Sequence, residues 1–141
     1  MIEFSQQNTF TLGQQEAWAS WLSESCRAEG FSIGELSYVF CDDAFLVEIN
    51  QEFLNHDTYT DIITFGELIG KSIHGEIYIS TERVQENSQS YGVVFNEELA
   101  RVMIHGLLHL CGYNDSTDQE KQAMRQKETD YIIGAKELIM N

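Results

Sequence analysis

The stretch from Asn96 to Cys111 constrains the fold more than any other part of this chain. Leu99, Val102, Met103, Ile104, Leu107, Leu108, Leu110 and Cys111 make residues 97–111 apolar nearly all round, and a helix of that composition is buried. A domain must therefore be wrapped around it. Asn96, followed by Glu97 and Glu98, is the expected start, with acidic groups placed for the helix dipole. Gly106 in mid-helix costs roughly 1 kcal/mol against alanine, which predicts a neighbour packed closely there.

The same helix carries chemistry. Residues 105–115 read HGLLHLCGYND, with His105 and His109 one turn apart on one face. At that spacing the Cβ atoms are about 5–6 Å apart, so both rings can reach one ion at about 2 Å each. A third ligand must come from outside the helix. Gly112 accepts the left-handed conformation that ends a helix and turns the chain back, and Asp115 then supplies a carboxylate. Three protein ligands leave a position for water, the catalytic kind of zinc site. The motif lacks the HExxH glutamate of zinc peptidases, since Gly106 stands in its place. A base would come from elsewhere, with Asp61, Glu67 and Glu76 the candidates by position. The plainer alternatives are hydrogen-bonded core histidines and an Asp115 that caps the next helix.

The remaining pattern predicts an α+β, or α/β layered, domain over residues 1–141. It has a small mixed, mostly parallel sheet of about four strands covered by about five helices, with the metal helix buried. Residues 1–4 and 9–12 read as short edge strands, and 14–29 as an amphipathic helix with Trp18, Leu22, Ser25 and Cys26 on one stripe. A strand is expected over 35–41 and a helix over 44–54. Two strands over 61–66 and 75–80 are joined by a glycine-containing loop. Polar residues 81–92 suggest a helix, and Thr117 with Glu120 forms a capping box that starts a last helix to about residue 138.

Eight Lys and Arg against 23 Asp and Glu give a net charge of −15. That opposes non-specific nucleic-acid binding but not a local cationic cleft, because salt screens beyond about 8 Å. Three scattered cysteines without CxxC spacing suggest reduced, buried thiols, and Cys111 reads as core. No apolar run approaches the roughly 20 residues of a membrane span, and the N-terminus has no signal-peptide pattern. The expected location is the cytoplasm, with no membrane partner.

The motif resembles H-G-x-L-H-L-x-G-Y-D-H of the YbeY family of bacterial metal-dependent endoribonucleases. Ile49–Asn50, Phe53–Leu54 and residues 60–65 resemble its L-N-x-x-Y-R…T-D-V-L-S-F segment. Residues 75–80 resemble its G-D-I-x-I-S strand, and Met124 falls where its last helix often has methionine. The resemblance implies a zinc-dependent (or other divalent transition metal), single-strand-specific endoribonuclease. Its role would be small-subunit rRNA 3′ end processing and ribosome quality control. Single-stranded rRNA precursor and the small ribosomal subunit or its factors would be partners. It implies one ion on His105, His109 and Asp115, with His105 catalytic and Thr60 and Asp61 lining the substrate cleft. Three positions depart from the pattern. Asp115 replaces the third histidine, Leu54 replaces an arginine, and Tyr59 replaces a proline. His56, when protonated, is a substitute phosphate contact, and Tyr59 offers a ring for base stacking. Two other readings keep the metal: a hydrolase of peptides, amides or small phosphoesters, and a ribosome-assembly adaptor whose structural metal would need a fourth ligand from Cys111, Asn114 or His74.

Overall fold

Strand formation follows the alternation of side chains. In β2 (Ser32–Cys41) Leu36, Tyr38 and Phe40 point to one face, while Val39 and Cys41 point to the other. β2 pairs in parallel with β1 (Ile2–Gln6) on one side and with β4 (Ser72–Ser80) on the other. β3 (Ile62–Ile69) runs antiparallel to β4 along the far edge, giving the order β1-β2-β4-β3. This computed structural model describes residues 1–54 and 60–140, with side chains to residue 52 and from residue 60. His56 and Tyr59, and the side chain of Leu54, lie outside the described residues.

The two faces of the sheet are covered unequally. α1 (Gln15–Ala28), α4 (Phe95–Leu110), α5 (Asp118–Ile133) and α6 (Lys136–Met140) contribute to the large core on one face, together with Leu36, Tyr38, Phe40, Ile73, Ile77 and Ile79. α2 (Asp43–Leu54) covers the other face with Leu46 and Ile49 against Cys41 and Ile63. α3 (Thr81–Tyr91) follows β4 directly, capped by the Ser80 hydroxyl. The layered α/β architecture, the four strands and the mostly parallel pairing match the sequence expectation.

α4 lies where its composition demands, with ten of its residues buried. The buried Tyr38 hydroxyl donates to the Met103 carbonyl at 2.9 Å, fixing the helix on the sheet. A Cβ built on Gly106 would sit 3.0 Å from Ile62 and Ile77 side-chain carbons, so glycine is what lets helix and sheet approach this closely. All three cysteines are free and buried, and Cys111 belongs to the core as expected. None of the helices is long and apolar enough to cross a membrane, among the described residues.

Four boundary expectations are corrected. Residues 9–12 form no strand, because the Asn8 side-chain Oδ1 accepts from the Phe10 backbone N–H at 3.1 Å and turns the chain out of the ladder. Phe10 then packs between Phe40 and Phe95. The loop expected across residues 67–74 is mostly strand, since β3 and β4 stay in register to Ile69 and Ser72. Gly70, with φ +63°, and Lys71 close a two-residue hairpin. α4 begins at Phe95, not after Asn96. Its N-cap is Val94, which makes no side-chain cap, and the Asn96 amide donates instead to the Leu138 carbonyl at 3.2 Å. The last helix is two. Gly134 ends α5 by bonding back to Tyr131, and α6 is short, so the described residues hold six helices where about five were expected.

Candidate metal centre

The helical spacing of His105 and His109 brings their Nε2 atoms to 3.0 Å from each other. Gly112, at φ +108°, reverses the chain after α4. Asp115 then points back, with Oδ2 3.3 Å from His105 Nε2 and 3.5 Å from His109 Nε2. Capping of α5 falls to Thr117, which leaves the Asp115 carboxylate to the site.

Each imidazole has its other nitrogen committed. His105 Nδ1 lies 2.6 Å from Glu128 Oε2, and His109 Nδ1 lies 2.9 Å from the Tyr113 carbonyl oxygen. An ionised carboxylate and a carbonyl accept only, so both Nδ1 atoms carry the hydrogen and donate it. Both Nε2 lone pairs therefore converge, together with a carboxylate oxygen. A cation between them stabilises that arrangement. Tetrahedral bonds of about 2.0–2.1 Å place ligand atoms about 3.3 Å apart, and the separations of 3.0, 3.3 and 3.5 Å fit that spacing. Among the described residues this is the one group of three such side chains placed for an ion.

A further layer holds these partners. Glu128 is 5% exposed, and its other oxygen accepts from Arg101 at 3.0 Å. Burial disfavours a charged His105, yet the Glu128 bond and the charges of Glu128, Asp115 and Asp61 outweigh it and raise its pKa above the usual histidine value. On the other flank, Glu29 accepts from Tyr113 at 2.7 Å, from Lys127 at 3.2 Å and from the Tyr131 hydroxyl. Burial pushes the Glu29 pKa up, but these three donors together hold it below the usual range. Glu29 so ties the Tyr113 turn behind His109 to α5, the helix that carries Glu128.

The cluster of His105, His109 and Asp115 lies in a cleft of about 930 Å³ between α4, α5 and the start of β3. Thr60 and Asp61 line it, as expected. Thr60 also donates to the Ile62 carbonyl at 3.3 Å, and Asp61 lies 3.5 Å from the Asn87 amide. Burial raises the Asp61 pKa above the ordinary carboxylate value, against its own backbone hydrogen bond. Glu67 and Glu76 are absent from the lining, and Glu76 instead accepts from the Tyr78 hydroxyl. Three of the eight basic residues, Arg101, Lys121 and Arg125, line it beside four carboxylates, Asp61, Glu98, Asp115 and Glu128, so the cleft is mixed in charge and gathers basic groups without being cationic. The proposed fourth ligands lie elsewhere. The Cys111 thiol shares a hydrogen bond with the free Cys26 thiol, His74 accepts from the Glu35 backbone, and the Asn114 side chain hydrogen-bonds Glu120.

Sequence reasoning missed Glu128, Arg101, Glu98 and Glu29. Glu98 is 4% exposed, and burial, then Asp61, raise its pKa to about 7 against the pull of Arg101 and Arg125. The available signal was spacing: Glu98, Arg101, His105 and His109 follow one another along a single helical face.

The chain as a whole is similar to known proteins. The chain is 48% identical over 131 residues to Endoribonuclease YbeY of Christiangramia forsetii, covering 93% of this chain and 92% of that one. It is 49% identical over 132 residues to the Flavobacterium psychrophilum protein of the same name, covering 94% of each. The solution structure of TM1509 from Thermotoga maritima superimposes with a TM-score of 0.67 at 30% identity, covering 94% of this chain and 87% of that one. A family model described as Endoribonuclease YbeY matches residues 1–135, and the chain belongs to that family of RNA-cleaving hydrolases.

Proposed function

We propose that this protein is a zinc-dependent, single-strand-specific endoribonuclease that acts on rRNA precursors, including 3′ end processing of the small-subunit rRNA, and in ribosome quality control. It works in the cytoplasm with the small ribosomal subunit or its factors. The observation that carries the reading is the convergence of His105 Nε2, His109 Nε2 and Asp115 Oδ2 in a cleft that also presents Lys121 and Arg125. When bound there, zinc lowers the pKa of a coordinated water toward about 7 and polarises a phosphoryl oxygen.

The chain's own groups supply the rest. Glu128 and the Tyr113 carbonyl hold both rings with Nε2 toward the cleft, so no ring flip competes with ligation. Lys121 and Arg125 are exposed on α5 and meet phosphates of the strand, while Arg101 is committed to Glu128. Thr60 and Asp61 form the wall opposite α4. The three ligand residues are the reactive centre, and single strands enter because their bases splay away from the backbone.

A labelled rRNA precursor tests the reading directly. Cleavage by the parent protein is expected, lost on chelation and restored by zinc, with His105→Ala inactive under all conditions. Equal cleavage by His105→Ala, or cleavage unaffected by chelator, contradicts it.

A further inference from the structure

Two turns of α4 before the histidine pair, Glu98 is 4% exposed and its carboxylate makes no hydrogen bond or ion pair among the described residues. No sealed side-chain oxygen lacks a partner in those residues. The exposure Glu98 retains therefore belongs to its carboxylate, which opens on the cleft. An acceptor with no protein donor keeps its lone pairs for a molecule that enters the cleft, and here it lies near a second carboxylate, Asp61, that also lines the cleft. Arg101 and Arg125 flank Glu98 and would oppose a second cation at this position. The group that fits is a neutral one that presents N–H donors.

The distance sets what that group is. Seven residues of helix span about 10 Å. That is too far for Glu98 to reach a phosphate held at the triad, and it is in range of the neighbouring nucleotide. Lys121 and Arg125 are exposed, whereas Glu98 is buried. A backbone held by the outer cations directs its base inward to the carboxylate. Guanine presents two adjacent donors, N1–H and the N2 amino group, that match the two oxygens of one carboxylate. Uracil presents one N–H between two carbonyl oxygens, which a carboxylate repels. Adenine and cytosine each offer one amino group beside a bare acceptor.

We propose that Glu98 forms the floor of a base subsite that selects guanine at a nucleotide adjacent to the cleaved phosphate. This rests on the RNA-cleaving reading above, and the test separates the two. Chelator-treated protein, which cannot cleave, is titrated at low salt into labelled hexaribonucleotides that differ only in one central base, with binding followed by fluorescence anisotropy. A bidentate base contact is worth about 1–3 kcal/mol, or about 5- to 150-fold. The parent is expected to bind the guanine oligonucleotide at least about fivefold tighter than the uracil one, and Glu98→Gln to abolish the preference. Glu98→Asp, which withdraws the carboxylate by one methylene, reduces it and serves if the glutamine variant fails to fold. Equal binding of all four bases by the parent, no binding of any, or a preference kept in Glu98→Gln overturns the subsite. If guanine preference depends on Glu98 but no RNA is cleaved with zinc, the subsite stands and the nuclease reading falls.

Discussion

Glu29 is a half-buried carboxylate and Glu98 a buried one, on opposite flanks of the same histidine pair, and they are treated in opposite ways. Glu29 accepts from three donors, Tyr113, Tyr131 and Lys127. The Glu98 carboxylate has no hydrogen-bonding partner among the described residues. Their pKa values move apart accordingly, Glu29 below its ordinary value and Glu98 up to about 7. The difference divides the cleft into two regions. Around the ligand end of α4 the Nδ1 atom of each ring and the groups behind it are satisfied, so the rings are oriented before any ion arrives. Around the start of α4 the protein leaves an acceptor to be completed by something else. Preorganisation concentrates where geometry must be fixed, and unpaired capacity where a substrate contributes the missing donors.

The sharpest way to break the ordered region is Glu128→Ala. It leaves Arg101 without its buried partner and His105 without its acceptor. Breaking such a pair costs about 3–5 kcal/mol of stability, and loss of an outer partner lowers metal affinity about 10- to 100-fold. Denaturant unfolding and competitive zinc titration measure the two effects separately.

Glu98→Gln sharpens the comparison from the other side. A carboxyl whose pKa is raised on folding contributes stability below its unfolded value, near 4.5, and loses it as pH rises through the folded value. The variant should therefore gain on the parent between about pH 5 and 8, by up to roughly 3 kcal/mol at the top of that window. Thermal melts of both proteins across that range check it, and a constant difference would mean that Glu98 does not titrate there.

Glu29→Gln reverses the sign with a smaller effect. A depressed carboxyl stabilises above its unfolded pKa and loses this as pH falls through the folded one. The variant should be less stable than the parent at pH 7 by about 1 kcal/mol, and the gap should close below pH 4. Melts at the two pH values decide it.

The convergence of His105, His109 and Asp115 was legible because it is local: a four-residue spacing, a glycine that ends the helix and an aspartate just beyond it. The buried helix, the close contact at Gly106 and the capping box at Thr117 were legible for the same reason. Glu128 was not, because it reaches His105 across 23 residues of chain through the packing of α5 on α4, which no local pattern encodes. Glu98 was read only as a carboxylate favouring a helix start, since its burial depends on elements distant in sequence. The misplaced boundaries share a cause. Asn8, Asn96 and Gly134 act through hydrogen bonds that depend on where the neighbouring backbone lies.

The central claim is that Asp115 completes one metal site with His105 and His109. Zinc titration of metal-free parent and Asp115→Ala against a competing indicator tests it most directly. The account predicts one equivalent bound per chain by the parent and at least about tenfold weaker binding by the variant. Equal affinity in the two proteins would contradict it.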